Sequence, residues 1–204
     1  MKKLLSYLVI LFLTLILTAC SGDDSTTTTE TNTETPSEPT YNIGETGPAG
    51  GIIFYIDDEG YKYEVGNSLG LAKWENIENL YEAKDITGLN IAIGSGETNT
   101  QLIIASIGEG SYAAKMCSDH QQGGKTDWFL PSKDELVAIY NYFDSCGCMG
   151  LSPSNNYWSS SQGSDYTRAW NTDFSVNSST TQFNNWTFEV QKNQTLYVRP
   201  IRKF

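Results

Sequence analysis

The sequence predicts one folded domain of the α+β class, in which about three helices pack beside a small antiparallel sheet. Residues 125–136 show an extended segment that runs into a helix. Two further helix-like segments precede this stretch, and several short segments with strand composition follow Gly150. Helices followed by strands, without regular alternation, are typical of α+β domains.

The first 20 residues are typical of a bacterial lipoprotein signal. Two lysines precede an apolar run from Leu4 to Leu17, which has the length of a signal peptide and is short for a membrane span. The run ends in Leu17-Thr18-Ala19-Cys20, which resembles a lipobox. We therefore predict a signal peptide over residues 1–19 and acylation of Cys20, whose acyl chains would anchor the protein to a membrane.

Residues 20–41 are predicted to form a disordered tether. Between Ser21 and Thr40 the residues are mostly Thr, Ser, Glu, Asp and Pro, so the segment cannot bury a core. The pair Asp23-Asp24 resembles surface-export signals of lipoproteins in some Gram-negative bacteria. These features predict an outer-membrane lipoprotein at the cell surface, whose folded domain spans residues 42–204.

The domain is expected to begin with a β-hairpin. Ile52 to Ile56 is an apolar run of strand length, and Tyr61 to Val65 is the returning strand. The acidic turn Asp57-Asp58-Glu59 between them could ligate calcium. The ligand spacing of a calcium loop is absent, so we interpret it as a solvated turn and predict no metal site. Residues 69–87 are ambiguous, except that Trp74 is expected to be buried.

Two helices are predicted before residue 121. Thr98 or Asn99 could cap a helix that ends near Ile107, and Ser111 could cap a second helix that ends near His120. His120 is the only histidine, with no partner histidine for zinc and no evident nucleophile. We therefore predict no catalytic residue and interpret the chain as a non-enzyme.

The third predicted helix has the clearest start. Ser132 and Glu135 form a capping box directly after Pro131, which favours an extended residue before it. Trp128 in the preceding extended segment is expected to be buried. The apolar residues of the helix recur at helical spacing and should face the core. These residues are Leu136, Val137, Ile139, Tyr140 and Phe143.

Four segments after Gly150 have strand composition, namely residues 156–161, 167–174, 180–188 and 195–202. Pro200 favours an edge position for the last segment. Aromatic side chains among polar residues could stack on the apolar face of a sugar ring, although the same rings could instead belong to the core. The candidate ligand-binding residues are Tyr157, Trp158, Tyr166, Trp170 and Trp186.

The remaining cysteines predict one disulfide bond. With Cys20 acylated, Cys117, Cys146 and Cys148 are left in an oxidising compartment. Cys146 and Cys148 flank a single glycine, and a bond between them would close a strained small ring. We therefore expect Cys117 to pair with Cys146 or Cys148.

Short motifs along residues 42–204 carry a family resemblance. They are Gly50-Gly51-Ile52-Ile53-Phe54-Tyr55, Gly94-Ser95-Gly96 with Asn99-Thr100, Ala113-Ala114 with Cys117, Asp127-Trp128-Phe129-Leu130-Pro131-Ser132 with Glu135-Leu136, Tyr157-Trp158-Ser159-Ser160-Ser161, Ala169-Trp170 and Val198-Arg199-Pro200-Ile201-Arg202. In this order they resemble the C-terminal domain of the Legionella collagen-like protein and its relatives. The Trp-x-Leu-Pro-Ser-x-x-Glu motif and the closing Val-Arg pair are also similar to formylglycine-generating-type and C-type-lectin-like domains.

The resemblance implies a loop-rich C-type-lectin-like fold and a surface ligand. The collagen-like relative is an adhesin that recognises sulfated glycosaminoglycans and forms trimers, so a homo-oligomer is also implied. This chain has no collagen repeat and lacks the triplets of calcium-dependent lectins. Cys146-Gly147-Cys148 does not match the copper-binding pair of formylglycine enzymes, so we predict no cofactor.

The charge restricts the partner further. The chain has 13 basic and 24 acidic residues, a formal −11, and without the two leader lysines 11 basic residues stand against 24, a formal −13. Such a surface repels nucleic acids and argues against a sulfated ligand. Near the C-terminus we expect Arg199 and Lys203 to lie on one face of a strand and Arg202 on the other face. Two positive charges on one face are too few to hold a long polyanion.

The sequence predicts an adhesion module for a glycan or another surface partner. The alternatives are a structural lipoprotein without a ligand and an enzyme of the formylglycine-generating type.

Overall fold

A computed structural model describes residues 39–147, 155–175 and 186–204, which belong to one compact unit, Pro39–Phe204. Its helices and two β-sheets confirm the α+β class. No helix in the described ranges has the length and apolar character needed to cross a membrane. The helices are α1 (Gly96–Ile107), α2 (Ala113–Ser118) and α3 (Lys133–Cys146). The strands are β1 (Ile52–Ile56), β2 (Lys62–Val65), β3 (Gly70–Lys73), β4 (Asn156–Gln162), β5 (Arg168–Asp173), β6 (Thr187–Gln191), β7 (Thr195–Val198) and β8 (Ile201–Lys203).

The smaller sheet has the order β1-β2-β8, and all its pairs are antiparallel. The predicted hairpin of β1 and β2 is confirmed. Its turn is held by Asp57, whose Oδ1 accepts hydrogen bonds from the backbone N–H groups of Glu59 (3.1 Å) and Tyr61 (2.9 Å). The carboxylate therefore caps the turn, as the local composition indicates.

The larger sheet has the order β3-β7-β4-β5-β6 and is antiparallel except between β4 and β7. Strand β3 lies in the segment that the sequence left ambiguous. The predicted single edge strand 195–202 is in fact two strands. The edge position is wrong for β7, which lies inside the larger sheet, whereas β8, which the chain forms after Pro200, is an edge strand of the smaller sheet. Much of the predicted strand 180–188 lies outside the described residues.

Two predicted helix starts are wrong and one is confirmed. Helix α1 begins at Gly96, so Asn99 lies within it and is buried rather than capping it. Helix α2 is preceded by Tyr112 instead of Ser111 and ends before His120. Helix α3 has the predicted capping box: Ser132 Oγ accepts from the Glu135 N–H (3.3 Å), and Glu135 Oε2 accepts from the Ser132 N–H (2.6 Å).

The larger sheet lies between two hydrophobic clusters. One cluster contains residues of α1 and α2 together with Trp74 and Trp158, and the other contains residues of α3, β1 and β2 together with Tyr157. Neighbouring strand residues point to opposite faces, so Tyr157 and Trp158 serve different clusters. The predicted burial of Trp74 and Trp128 is confirmed.

Candidate functional site

Two of the five predicted ligand-binding aromatics belong to the core. Tyr157 is 1% exposed and Trp158 is 0% exposed. The Trp158 indole N–H donates to the Ala72 carbonyl at 3.0 Å, and the Tyr157 ring contacts Phe174 at 5.0 Å between centroids. Strand β4 has a neighbour on each side and a cluster on each face, so neither ring can reach a ligand. The structure corrects the prediction for both residues.

Trp170 and Trp186 are half-buried, and each ring already has a partner within the domain. The Lys133 ammonium lies 4.9 Å from the centroid of the Trp170 ring. The Trp186 ring stacks on Tyr140, with 5.2 Å between centroids and 17° between planes. Neither tryptophan lines the cleft that contains the fifth candidate, Tyr166.

Tyr166 lies in an open surface cleft of about 620 Å³. A second tyrosine, Tyr81, lines the same cleft and was not identified from the sequence. We name this feature the tyrosine cleft. Its lining residues are Glu78, Asn79, Leu80, Tyr81, Tyr166, Thr167 and Asn193.

Three loops of the larger sheet form the tyrosine cleft. The loop after β3 contains a 3₁₀ turn, Leu80–Glu82, whose start is capped by Asn79 Oδ1 accepting from the Tyr81 N–H at 3.1 Å. The loop between β4 and β5 turns at Asp165, which accepts from the Thr167 N–H at 2.7 Å. The turn between β6 and β7 supplies Asn193, whose amide donates to the Glu78 carbonyl at 3.1 Å.

The two tyrosines of the cleft are available to a ligand. Tyr81 is 91% exposed and Tyr166 is 42% exposed. Across the described parts of the chain, neither ring stacks on another group and neither hydroxyl has a hydrogen-bond partner. Two exposed aromatic rings beside side-chain amides on one concave surface could stack on a ligand and bond it, so we take this cleft as the candidate binding site.

The electrostatics of the cleft favour a neutral or cationic ligand. The seven lining residues include Glu78 and no lysine or arginine. Glu78 forms an ion pair with Lys73, whose ammonium also donates to the Ile77 carbonyl at 3.1 Å. The backbone N–H of Thr167 lowers the pKa of Asp165 at the rim, so this carboxyl remains ionised at neutral pH. A sulfate or phosphate group would find no cation among the lining residues.

A second cleft, of about 560 Å³, lies beside α3 and β1 and is mostly apolar. Ile43 and Ile93 are exposed at this cleft, and Asp134 is its only charged lining residue. It contains none of the predicted ligand-binding residues. The lining residues are Ile43, Phe54, Tyr55, Ile93, Asp134, Val137, Ala138, Asn141, Tyr142 and Ser145.

Many of the residues that carry the family resemblance lie around one buried carboxylate, Glu135, which is 1% exposed. Besides the Ser132 N–H, it accepts from the Gly94 N–H at 2.8 Å. A Cβ on Gly96 would lie 2.3 Å from Glu135 Oε2, so only glycine fits there. Burial raises the pKa of the Glu135 carboxyl, and its backbone hydrogen bonds act in the opposite direction.

Three further side chains fix the loop that surrounds this carboxylate. Asn99 Nδ2 and Ser161 Oγ both donate to the Asn90 carbonyl, at 2.6 and 2.8 Å, and Ser132 Oγ donates to the Ala92 carbonyl at 2.8 Å. We name the set Gly94, Gly96, Asn99, Ser132, Glu135 and Ser161 the Glu135 cluster. A carboxyl with a raised pKa is a candidate acid or base. Here it is enclosed by backbone donors, so its contacts account for it as a structural group.

The basic residues near the C-terminus do not form the predicted arrangement. Arg202 is buried and donates to both oxygens of Asp127 at 2.8 Å, and Arg202 lowers the pKa of that carboxyl. Lys203 lies 3.4 Å from Asp57. Arg199 lies between the end of β7 at Val198 and the start of β8 at Ile201, so it does not share a strand with Lys203. Arg202 and Lys203 therefore pair with carboxylates of the domain.

The predicted disulfide of Cys117 is wrong. Cys117 is free and 0% exposed, and burial raises the pKa of its thiol well above the usual value. Its small side chain packs in the core with α1 and α2. Cys146 is disulfide-bonded, but not to Cys117. Cys20 and Cys148 lie outside the described residues.

In the described ranges, no group of three histidine, cysteine, aspartate or glutamate side chains is placed to bind a metal ion. His120 contacts Gln122 (3.3 Å between Nε2 and Oε1) and packs edge-on against Trp128.

No family model matches the chain, and no curated protein matches it at a significant level.

Proposed function

We propose that this chain is a lipid-anchored protein of the bacterial cell envelope, whose folded domain binds a glycan or another partner at the cell surface. The observation that carries the proposal is the tyrosine cleft, with its two unpartnered rings. The lipobox and the polar tether support the location, because together they would hold the domain away from an outer membrane.

The chemistry of the tyrosine cleft suits a sugar. A pyranose ring has an apolar face that stacks on Tyr81 or Tyr166. Its hydroxyls can bond the side chains of Asn79 and Thr167, which line the same cleft. Because the lining residues contain no cation, we propose a neutral glycan.

The resemblance to C-type-lectin-like domains supports the same proposal at the level of the fold. The two sheets and the flanking helices are compatible with the loop-rich α+β fold that the resemblance implies. Homo-oligomerisation, as in the collagen-like relative, would place several clefts on one assembly and increase the avidity for a repeated glycan.

A glycan array tests the binding function. The probe is a soluble form of the chain starting at residue 21, compared with its Tyr81→Ala and Tyr166→Ala variants. We expect neutral glycans to bind the wild-type protein and each substitution to reduce the signal at least tenfold. Tyr61→Ala is the matched control, because Tyr61 is an exposed tyrosine outside the cleft. Its removal should leave the glycan-array signal unchanged. Unchanged binding by both cleft variants would refute the site.

The lipid anchor is tested separately in cells. We expect Cys20→Ala to abolish incorporation of a fatty-acid label, because the acyl acceptor is lost. Ser21→Ala is the control and should be labelled like the wild-type protein. Equal labelling of Cys20→Ala would contradict the anchor. A labelled protein that binds no glycan or cell surface would favour the alternative of a structural lipoprotein without a ligand.

A further inference from the structure

A buried lysine lies beside the tyrosine cleft. Lys192 is 0% exposed, although it follows β6 in a short turn and precedes the cleft residue Asn193. Its ammonium donates to the Lys84 carbonyl at 2.6 Å and to Gln162 Oε1 at 2.8 Å. Lysine is almost never fully buried unless its charge has partners, so these contacts are expected to have a specific role.

The contacts of Lys192 join the loops that present the two tyrosines. Lys84 follows the 3₁₀ turn that contains Tyr81, and Gln162 ends the strand that leads to Tyr166. The backbone of Lys192 adds to the connection. Its N–H donates to the Thr167 carbonyl at 2.9 Å, and its carbonyl accepts from the Trp74 N–H at 3.0 Å.

The surroundings of the ammonium are compatible with either protonation state. The ammonium lies 4.3 Å from the centroid of the Trp74 ring and 3.9 Å from Glu75 Oε2. Burial lowers the pKa of Lys192 to about 8, and the charges of Glu75, Asp85 and Asp165 oppose this shift. A neutral amine still has two N–H groups, which match the two acceptors on Lys84 and Gln162.

We infer that Lys192 is the positioning residue of the tyrosine cleft, because its side chain fixes the loop of Tyr81 relative to the loop of Tyr166. The inference rests on the proposed binding function for its biological meaning, but its geometry can be tested without a ligand. Loops that are fixed before binding need no ordering when a ligand arrives, which increases affinity.

Hydrogen exchange of the soluble chain tests the inference, with Lys192→Met compared to the wild-type protein. Methionine preserves the apolar stem and removes both donors. We expect amides in residues 75–86 and 163–168 to exchange at least tenfold faster, while those of α3 keep their rates. Lys133→Met is the matched control, because Lys133 contacts Trp170 outside the cleft. Unchanged rates in the two loops, or an equal acceleration throughout the domain, would overturn the inference.

A measurement on the wild-type protein covers the case in which Lys192→Met does not fold. The ammonium lies over the Trp74 ring, so the indole N–H of Trp74 should give an NMR signal that titrates with a midpoint near pH 8. Amide protection in both loops should persist through this titration, because the neutral amine retains both hydrogen bonds. Loss of protection in either loop across the titration of Lys192 would contradict the inference. Failure of the glycan array alone would refute the proposed function and leave these results unaffected.

Discussion

The Glu135 cluster and the tyrosine cleft are both rich in polar groups, but they differ in how those groups are satisfied. In the Glu135 cluster, carboxylate, amide and hydroxyl groups bond a single loop and are closed to solvent. In the tyrosine cleft, the two phenol hydroxyls have no partner among the described residues and face solvent. All six residues of the Glu135 cluster belong to the motifs that carry the family resemblance, whereas Tyr81 and Tyr166 belong to none of them. These sequence motifs therefore mark residues that the fold requires, and the candidate binding surface lies where no motif is visible.

The largest expected effect tests whether the predicted aromatics of β4 are core residues. Trp158→Ala should lower the free energy of unfolding by about 3–5 kcal/mol, because it empties a fully buried site and removes the bond to Ala72. Denaturant unfolding of the soluble chain gives the value. A loss below about 1 kcal/mol, typical of a surface position, would return Trp158 to the list of ligand contacts.

The next prediction concerns the charge beneath the cleft. Lys192 has a lowered pKa of about 8 in the folded chain against 10.5 in the unfolded chain. Between these pH values the unfolded chain holds more protons, so the free energy of unfolding should rise with pH, by on the order of 1–3 kcal/mol. Lys192→Met should lack this rise, and the comparison cancels other groups such as Tyr63, whose pKa is raised by burial. If the free energy of unfolding varies with pH in the same way for both proteins, the prediction is wrong, and Lys192 is in contact with water rather than buried.

A smaller effect is expected at the start of α3. Ser132→Ala removes the cap and the bond to the Ala92 carbonyl, and should cost about 1–2 kcal/mol. Ser145→Ala is a matched control at the other end of the helix, where the hydroxyl is exposed and donates to the Tyr142 carbonyl of the same helix. Equal denaturant midpoints for the two variants would contradict the structural role of the Glu135 cluster.

Substitutions in the tyrosine cleft should have the smallest effect on the stability of the domain. Tyr81→Ala and Tyr166→Ala remove exposed rings and should change the free energy of unfolding by less than about 0.5 kcal/mol. Thermal unfolding measures this, and the same proteins serve for the glycan array. A cost of several kcal/mol would show that these tyrosines support the fold, and the contrast between the two regions would disappear.

Local signals along the chain predicted the parts of the fold that depend on neighbouring residues. The capping box at Ser132 and the apolar run of β1 are visible within a few residues, and both elements form as expected. Strand β3 was missed because its partner is β7, more than a hundred residues later, and its four residues show no alternation. Tyr157 and Trp158 were misjudged because strand composition does not reveal that β4 is central and covered on both faces.

The candidate site was less accessible to sequence reasoning than the fold. Tyr166 was identified because it lies among polar residues, but nothing around Tyr81 distinguishes it from an ordinary loop tyrosine. Lys192 lies between Gln191 and Asn193, a composition that predicts an exposed turn. Its burial follows from three loops that meet only in the folded domain.

Both sheets of the domain depend on one short stretch, residues 195–203. Strand β7 lies between β3 and β4, and β8 pairs with β2 in the smaller sheet, so this stretch contacts strands from both the earlier and the later part of the domain. Phe204 and Lys62 then exchange two backbone hydrogen bonds, at 2.9 and 3.0 Å. A nascent chain that has not yet reached residue 195 lacks the strand that joins β3 to β4 and the third strand of the smaller sheet. Neither sheet can therefore be completed before that stretch has been made, however early the preceding strands and helices are available.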